Sequence, residues 1–202
     1  MMKLIDRLLK RNQEHRYLAH AGYYTSNCRE AVIVVLDSSN QNESLSIWSA
    51  SRDNVKQVFS MPYPNGIDLW YSAMMARCGT PTVKEFEELA AKGNPKKLMP
   101  DIVRELITLH PLTFKRNFAN GCSDWRYQAI APKEIAAGAI AAHNIVIDGI
   151  MQKALGLFPS RNIVLVGINN KEIASRYFDY VWIPTENNTG LIQVGKTLLN
   201  NV

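Results

Sequence analysis

Long hydrophobic runs are missing from this chain of 202 residues. A bilayer-spanning helix needs roughly 20 consecutive apolar residues. The longest candidate, residues 135–150, is interrupted by His143, Asn144 and Asp148, so no transmembrane segment is expected. Cysteine is scarce as well. Cys28, Cys78 and Cys122 are odd in number, widely separated and form no C-x-x-C pair, which excludes a disulfide framework. The first residues have neither a long apolar core nor a small-residue cleavage site, so no secretory leader is expected and a reducing, cytoplasmic compartment is favoured. Metal-site spacing is lacking too. His143 and Asp148 lie five apart, as do His15 and His20, whereas ligands on one helix face recur at three or four. No metal and no cofactor are expected. Repeats and low-complexity tracts are absent, and an apolar fraction of 47% with 20% charged residues excludes a disordered chain.

Acidic residues are few at the N-terminus. Residues 1–29 hold six basic side chains (Lys3, Arg7, Lys10, Arg11, Arg16, Arg29) and two acidic ones (Asp6, Glu14), which leaves +4 of the chain's net +5 there. The remainder is close to neutral. A nucleic-acid-binding domain usually spreads a basic stripe over its surface, and that pattern is diluted here.

What is present is a set of α and β patterns. Leu4, Ile5, Leu8 and Leu9 repeat at helical spacing, and the spacing predicts a basic amphipathic helix over residues 1–22, stopped by Gly22. Residues 31–36 (Ala-Val-Ile-Val-Val-Leu) form an unbroken β-branched run suited to a strand covered on both faces. Residues 45–48 read as its hairpin partner. Ser51 or Asp53 can cap a short helix ending near Phe59. Helices follow at 67–77, 82–91 and 97–109, with Thr82 and Glu85 spaced as a capping box. A small-residue-rich helix covers 133–155. Residues 162–167 are a second buried strand, 171–178 a short helix and 180–183 a third strand. These elements define one α/β or α+β domain over residues 1–202: a central mixed sheet of about 4–6 strands, a helix-rich middle and the N-terminal helix. Residues 60–66 and 93–95 are the places where a subdomain boundary fits best.

Three groups of residues are candidates for function. The turn Gly167-Ile168-Asn169-Asn170 leads from a buried strand into a helix, where unpaired N–H groups attract anions, so Gly167, Asn169 and Asn170 are candidate ligand residues for a phosphorylated small molecule or nucleotide. Asp37 follows the other buried strand and would stand at the same carboxyl edge. Asp37, Cys122 and Asp124 are the candidate catalytic groups, Cys122 needing a neighbouring base to act as a nucleophile. Lys3, Arg7, Lys10, Arg11 and Tyr63 are candidates for contact with a partner protein, Tyr63 from its Pro-flanked loop. The favoured expectation is a non-enzymatic binding or regulatory protein acting through a protein surface. A small-molecule-binding enzyme or sensor is the alternative, a nucleic-acid-associated protein the third reading, and self-association is compatible with each.

Overall fold

The computed structural model describes residues 13–39, 42–52, 54–125 and 130–200. Lys3, Arg7, Lys10, Arg11 and Asp53 lie outside them. The described residues form a mixed α/β fold with seven α-helices, a five-stranded sheet and a two-stranded one. The chain divides into two compact units. One combines residues 1–63 and 150–202; the other is residues 64–149. The first division falls inside the Pro- and Gly-rich loop 60–66.

The first unit holds the five-stranded sheet, built from strands β1 (Glu30–Leu36), β2 (Glu43–Ser51), β3 (Asn54–Pro62), β6 (Asn162–Val166) and β7 (Tyr180–Trp182), in the order β3-β2-β1-β6-β7. β1, β2 and β3 form an antiparallel meander, while β1, β6 and β7 run parallel. The β-branched runs have a clear cause: Val32, Ile33, Val34 and Val35, and likewise Ile163 to Val166, are fully buried, so both faces of these central strands are covered. Helices α1 (Glu14–Thr25) and α7 (Asn188–Asn200) belong to the same unit. They share a core in which Leu18, Ala19, Tyr23 and Leu191 meet Ile33, Val35, Trp48, Val164 and Val166.

Three expectations are corrected here. The N-terminal helix does not stop at Gly22; the described helix runs to Thr25. A Cβ at Gly22 would lie 2.8 Å from Val166 Cγ2, so the glycine allows the helix to approach the sheet. The segment from Asn54 to Phe59 is strand, not helix. The helix after β6, α6, is a single turn, Lys171–Ala174, shorter than the 171–178 expected.

The second unit is mainly helical, with α2 (Ile67–Cys78), α3 (Val83–Ala90), α4 (Pro95–Leu106), the hairpin β4 (Ile107–Leu109) and β5 (Leu112–Phe114), and the start of α5 (Pro132–Leu157). The helix expected to reach residue 109 ends at Leu106, where Ile107 turns to extended backbone and opens the hairpin. Thr82 caps α3, accepting the Glu85 N–H at 3.2 Å, and Asn94 caps α4, accepting the Lys96 N–H at 3.0 Å. Trp70 fills the centre, stacked 6.1 Å from Phe114 and 6.3 Å from His143. Helix α5 is long and apolar enough by composition to cross a membrane, the one such helix among the described residues, and 56% of its most apolar window is buried. Its small residues have a packing reason: a Cβ at Gly138 would stand 3.0 Å from Leu98 Cβ and from the Met99 backbone nitrogen.

Candidate functional site

The sheet brings two of the candidate places together. β1 and β6 lie side by side and parallel, with Val35 opposite Val166, so the chain leaves both strands at one edge. From there β1 turns back into β2 on one side, and β6 continues through α6 to β7 on the other. Diverging connections from adjacent parallel strands leave a crevice outside their carboxyl ends, where ligands of open α/β sheets bind. Asp37 and Gly167 flank that point. Gly167 has φ +75, and a Cβ built on it would stand 2.1 Å from the Leu36 carbonyl oxygen. Glycine is therefore required twice over, by the left-handed backbone and by the closeness of the two strand ends.

Asp37 is 8% exposed, and its carboxylate is held from two sides. Oδ1 accepts the Ser39 N–H at 2.9 Å, a local turn bond, and Oδ2 accepts from Asn188 Nδ2 at 3.1 Å. Asn188 is the first residue of α7. The carboxylate thus stands beside a 13-residue helix at its N-terminus, the end that favours negative charge. Two oxygens offer about four acceptor positions, so the two bonds leave lone pairs for hydroxyl or amine donors of a ligand.

Behind Asp37 runs a buried polar chain that the sequence pattern did not reveal. His15, on α1, is 1% exposed. Its Nε2 donates to the Asp37 carbonyl oxygen at 2.7 Å, because a carbonyl can only accept. Ser46 Oγ accepts the Trp48 Nε1–H at 2.7 Å and has its own proton to give to His15 Nδ1, also at 2.7 Å. The direction Trp48, Ser46, His15, Asp37 fixes both the imidazole and the backbone at the exit of β1. With His15 and Ser46 buried, this chain positions the site and does not itself meet a ligand. Ser44 continues the same face of β2. Its carbonyl accepts the Asp37 N–H at 3.3 Å, while its hydroxyl, fully buried, has no hydrogen-bond partner among the described residues.

The remaining candidates separate from this edge. Asn169 is exposed and Asn170 half-buried. Asn170 precedes α6 but makes no side-chain capping bond, and a helix of four residues carries little dipole, so the expected anion site at this turn loses its physical basis. Cys122 belongs to the other unit and is 2% exposed. Its thiol donates to the Ala73 carbonyl at 3.4 Å, and burial pushes its pKa up to about 11, which opposes formation of a nucleophilic thiolate. Asp124 is paired through both carboxylate oxygens with the Arg116 guanidinium, which holds its carboxyl below the usual range. Tyr63 is half-buried, its N–H bound to the Asn42 carbonyl at 2.9 Å. Among the described residues, no group of three or more His, Cys, Asp and Glu side chains is placed to hold a metal, and all three cysteines are free.

Asn188, His15, Ser44 and Ser46 were not singled out as candidates for a ligand site. The signal for two of them was visible: Ser44, Ser46 and Trp48 alternate along a buried strand, which puts three polar groups on one face. No protein-family model matches the chain, and no curated protein matches it in sequence.

Proposed function

We propose that the protein binds a small, hydroxyl-bearing phosphorylated metabolite or nucleotide at the carboxyl edge of its sheet. The observation that carries this reading is the buried Asp37 carboxylate, held by Asn188 beside Gly167 where two parallel strands part. A carboxylate with spare lone pairs suits the hydroxyls of a ribose or sugar. Native mass spectrometry of the freshly purified chain, followed by a thermal-shift screen of nucleotides and sugar phosphates, tests it. A ligand bound only to the folded state raises stability by an amount that grows with its concentration over Kd. A retained mass of a few hundred daltons or a concentration-dependent shift is expected; a clean apo mass together with a flat screen would remove the reading.

A second reading, a protein partner engaged through Lys3, Arg7, Lys10 and Arg11, is favoured by one fact: +4 of the net charge of +5 lies in residues 1–29. Removing residues 1–12 leaves α1 and its buried His15 and Leu18 in place. Loss of a captured partner on that truncation is the expected result, and unchanged capture would count against it. Binding that falls steeply with salt, together with co-purified nucleic acid, would move the assignment to phosphate backbones.

A further inference from the structure

The opposite end of β1 carries a second feature, independent of the carboxyl edge. A groove of about 690 Å³ is lined by Tyr23 and Tyr24 from the end of α1, Asn27 to Glu30 from the following turn, and Ser51 and Arg52 from the end of β2. Its size falls in the range of about 300–1,000 Å³ usual for small-ligand sites.

Two arginines line it from neighbouring backbone positions. Glu30 pairs with Ser51 in the β1–β2 ladder, and the next step outward places Arg29 opposite Arg52, with the Arg52 N–H on the Arg29 carbonyl at 3.0 Å. Among the described residues neither guanidinium has an ion pair or a side-chain hydrogen bond, whereas Arg104, Arg116, Arg161 and Arg176 each pair with a carboxylate. The backbone beneath them is fixed. The Arg29 carbonyl also accepts the Tyr23 hydroxyl at 2.8 Å, and the Asn162 side chain donates to the Glu30 carbonyl at 2.9 Å. Asn27 (φ 57) and Arg52 (φ 53) are the only non-glycine residues described in the left-handed region. Arg52 opens the two-residue turn between β2 and β3, where Ser51 pairs with Asn54 and a primed turn takes positive φ, which fixes the backbone that carries its side chain. An aromatic wall completes the groove. Tyr24 is 41% exposed and is backed by the Tyr23 ring at 5.3 Å and the His20 ring at 6.1 Å.

We infer that this groove binds a nucleotide unit, its phosphate spanning the Arg29 and Arg52 guanidiniums and its base lying on Tyr24. Guanidinium forks match phosphate oxygens, and one exposed aromatic face is enough to stack a base. Glu30, an exposed member of the lining, opposes a run of successive phosphates and limits the site to one such unit. The source is either a free mononucleotide or a single strand presenting one nucleotide.

Isothermal titration of the full chain with AMP, GMP, CMP and UMP tests the site, with adenosine, ribose 5-phosphate and a twelve-residue oligothymidylate as further arms. At least one monophosphate is expected to bind, with loss of either the base or the phosphate weakening it at least tenfold. Arg29→Gln, Arg52→Gly and Tyr24→Ala should each weaken it at least tenfold; all three residues are exposed, and glycine at 52 keeps the left-handed backbone. The same titrations repeated in an Asp37→Asn background keep any carboxyl-edge binding out of the readout, and the three losses are expected there as well. A strand that binds more tightly than any monophosphate, and is released by the same three variants, identifies the strand as the source. Absence of binding by every nucleotide probe, or binding untouched by Arg29→Gln and Arg52→Gly, would overturn the inference. Binding lost in Asp37→Asn but kept in the arginine variants would overturn it too, and would leave the carboxyl-edge reading standing.

Discussion

Replacing Gly167 by alanine tests whether the ends of β1 and β6 meet as closely as the site requires. Two separate effects oppose the new methyl group. The left-handed backbone at φ +75 disfavours any residue with a Cβ by about 1–2 kcal/mol. In addition, the Cβ would stand 2.1 Å from the Leu36 oxygen, where an ordinary carbon–oxygen contact is about 3.3 Å. The strand ends must then part by about 1 Å, which weakens one or two ladder hydrogen bonds worth about 1 kcal/mol each and disturbs the packing of Val35 on Val166. Together these give a loss of about 3–5 kcal/mol. Two other glycines divide the effects. Gly79 has φ +71 with nothing within 4 Å of a built Cβ, so Gly79→Ala should show the backbone part alone, about 1–2 kcal/mol. Gly195 sits inside α7 with its built Cβ 2.2 Å from the Tyr17 carbonyl oxygen, so Gly195→Ala should show overpacking alone, about 1–3 kcal/mol. Native-state hydrogen exchange reads each unit's opening free energy separately. A Gly167→Ala loss no larger than that of Gly79→Ala would refute the close approach of the strand ends, and with it the geometry of the site.

Further outcomes follow from other residues. Burial lowers the His143 pKa below its usual value, opposed by a hydrogen bond to the Asn144 side chain, and burial beside Arg16 lowers that of His20. The unfolded chain then binds more protons just below pH 6.5, so stability present above that pH is lost as pH falls, by at most about 1.4 kcal/mol per pH unit per group. Urea midpoints measured from pH 8 to pH 5 should show the loss, and His143→Phe should flatten it; a curve rising toward acid would contradict the burial. The Cys78 and Cys122 thiols, both pushed up to about 11, should react with iodoacetamide at pH 7.5 more than about a hundredfold slower than a free peptide thiol. Mass mapping of alkylated peptides checks this, and rapid modification of Cys122 would revive it as a nucleophile. His15→Phe leaves the Asp37 carbonyl and the Ser46 hydroxyl without their partner in a buried place, for a loss of about 2–4 kcal/mol seen in denaturant unfolding. An effect below about 0.5 kcal/mol would mean that the polar chain does not fix the exit of β1.

The central strands were legible because burial on both faces demands an unbroken apolar run, and residues 31–36 and 162–166 have little else. Asp37 and Gly167 could each be placed at a strand end for the same reason. Their place at one carboxyl edge was read from those strand ends; the direct pairing of β1 with β6 was not legible, since parallel pairing of distant segments leaves no local pattern. β3 was misread as helix for a specific cause: register shifts between Glu43 and Leu45 and between Ile47 and Trp48 disturb its pairing with β2, and its burial departs from strict alternation. Val55, Val58, Phe59 and Met61 then mimic helical spacing. Gly22 suggested a helix end, yet it sits inside a helix where a neighbour comes too close for a methyl group. Asn188 disappeared from view with α7, and its bond to Asp37 spans 151 residues of sequence.

The most direct test of the carboxyl-edge site is a calorimetric titration of the strongest ligand from the nucleotide and sugar-phosphate screen into three proteins: wild type, Asp37→Asn, and the exchange Asp37→Asn with Asn188→Asp. The single substitution removes the charge that accepts ligand hydroxyls and sets two side-chain amides against each other. The exchange restores their hydrogen bond with the carboxylate moved to position 188. Binding weakened at least tenfold in Asp37→Asn, with folding stability recovered but affinity still reduced in the exchange, is the result the account predicts. Equal affinity in all three proteins would contradict it.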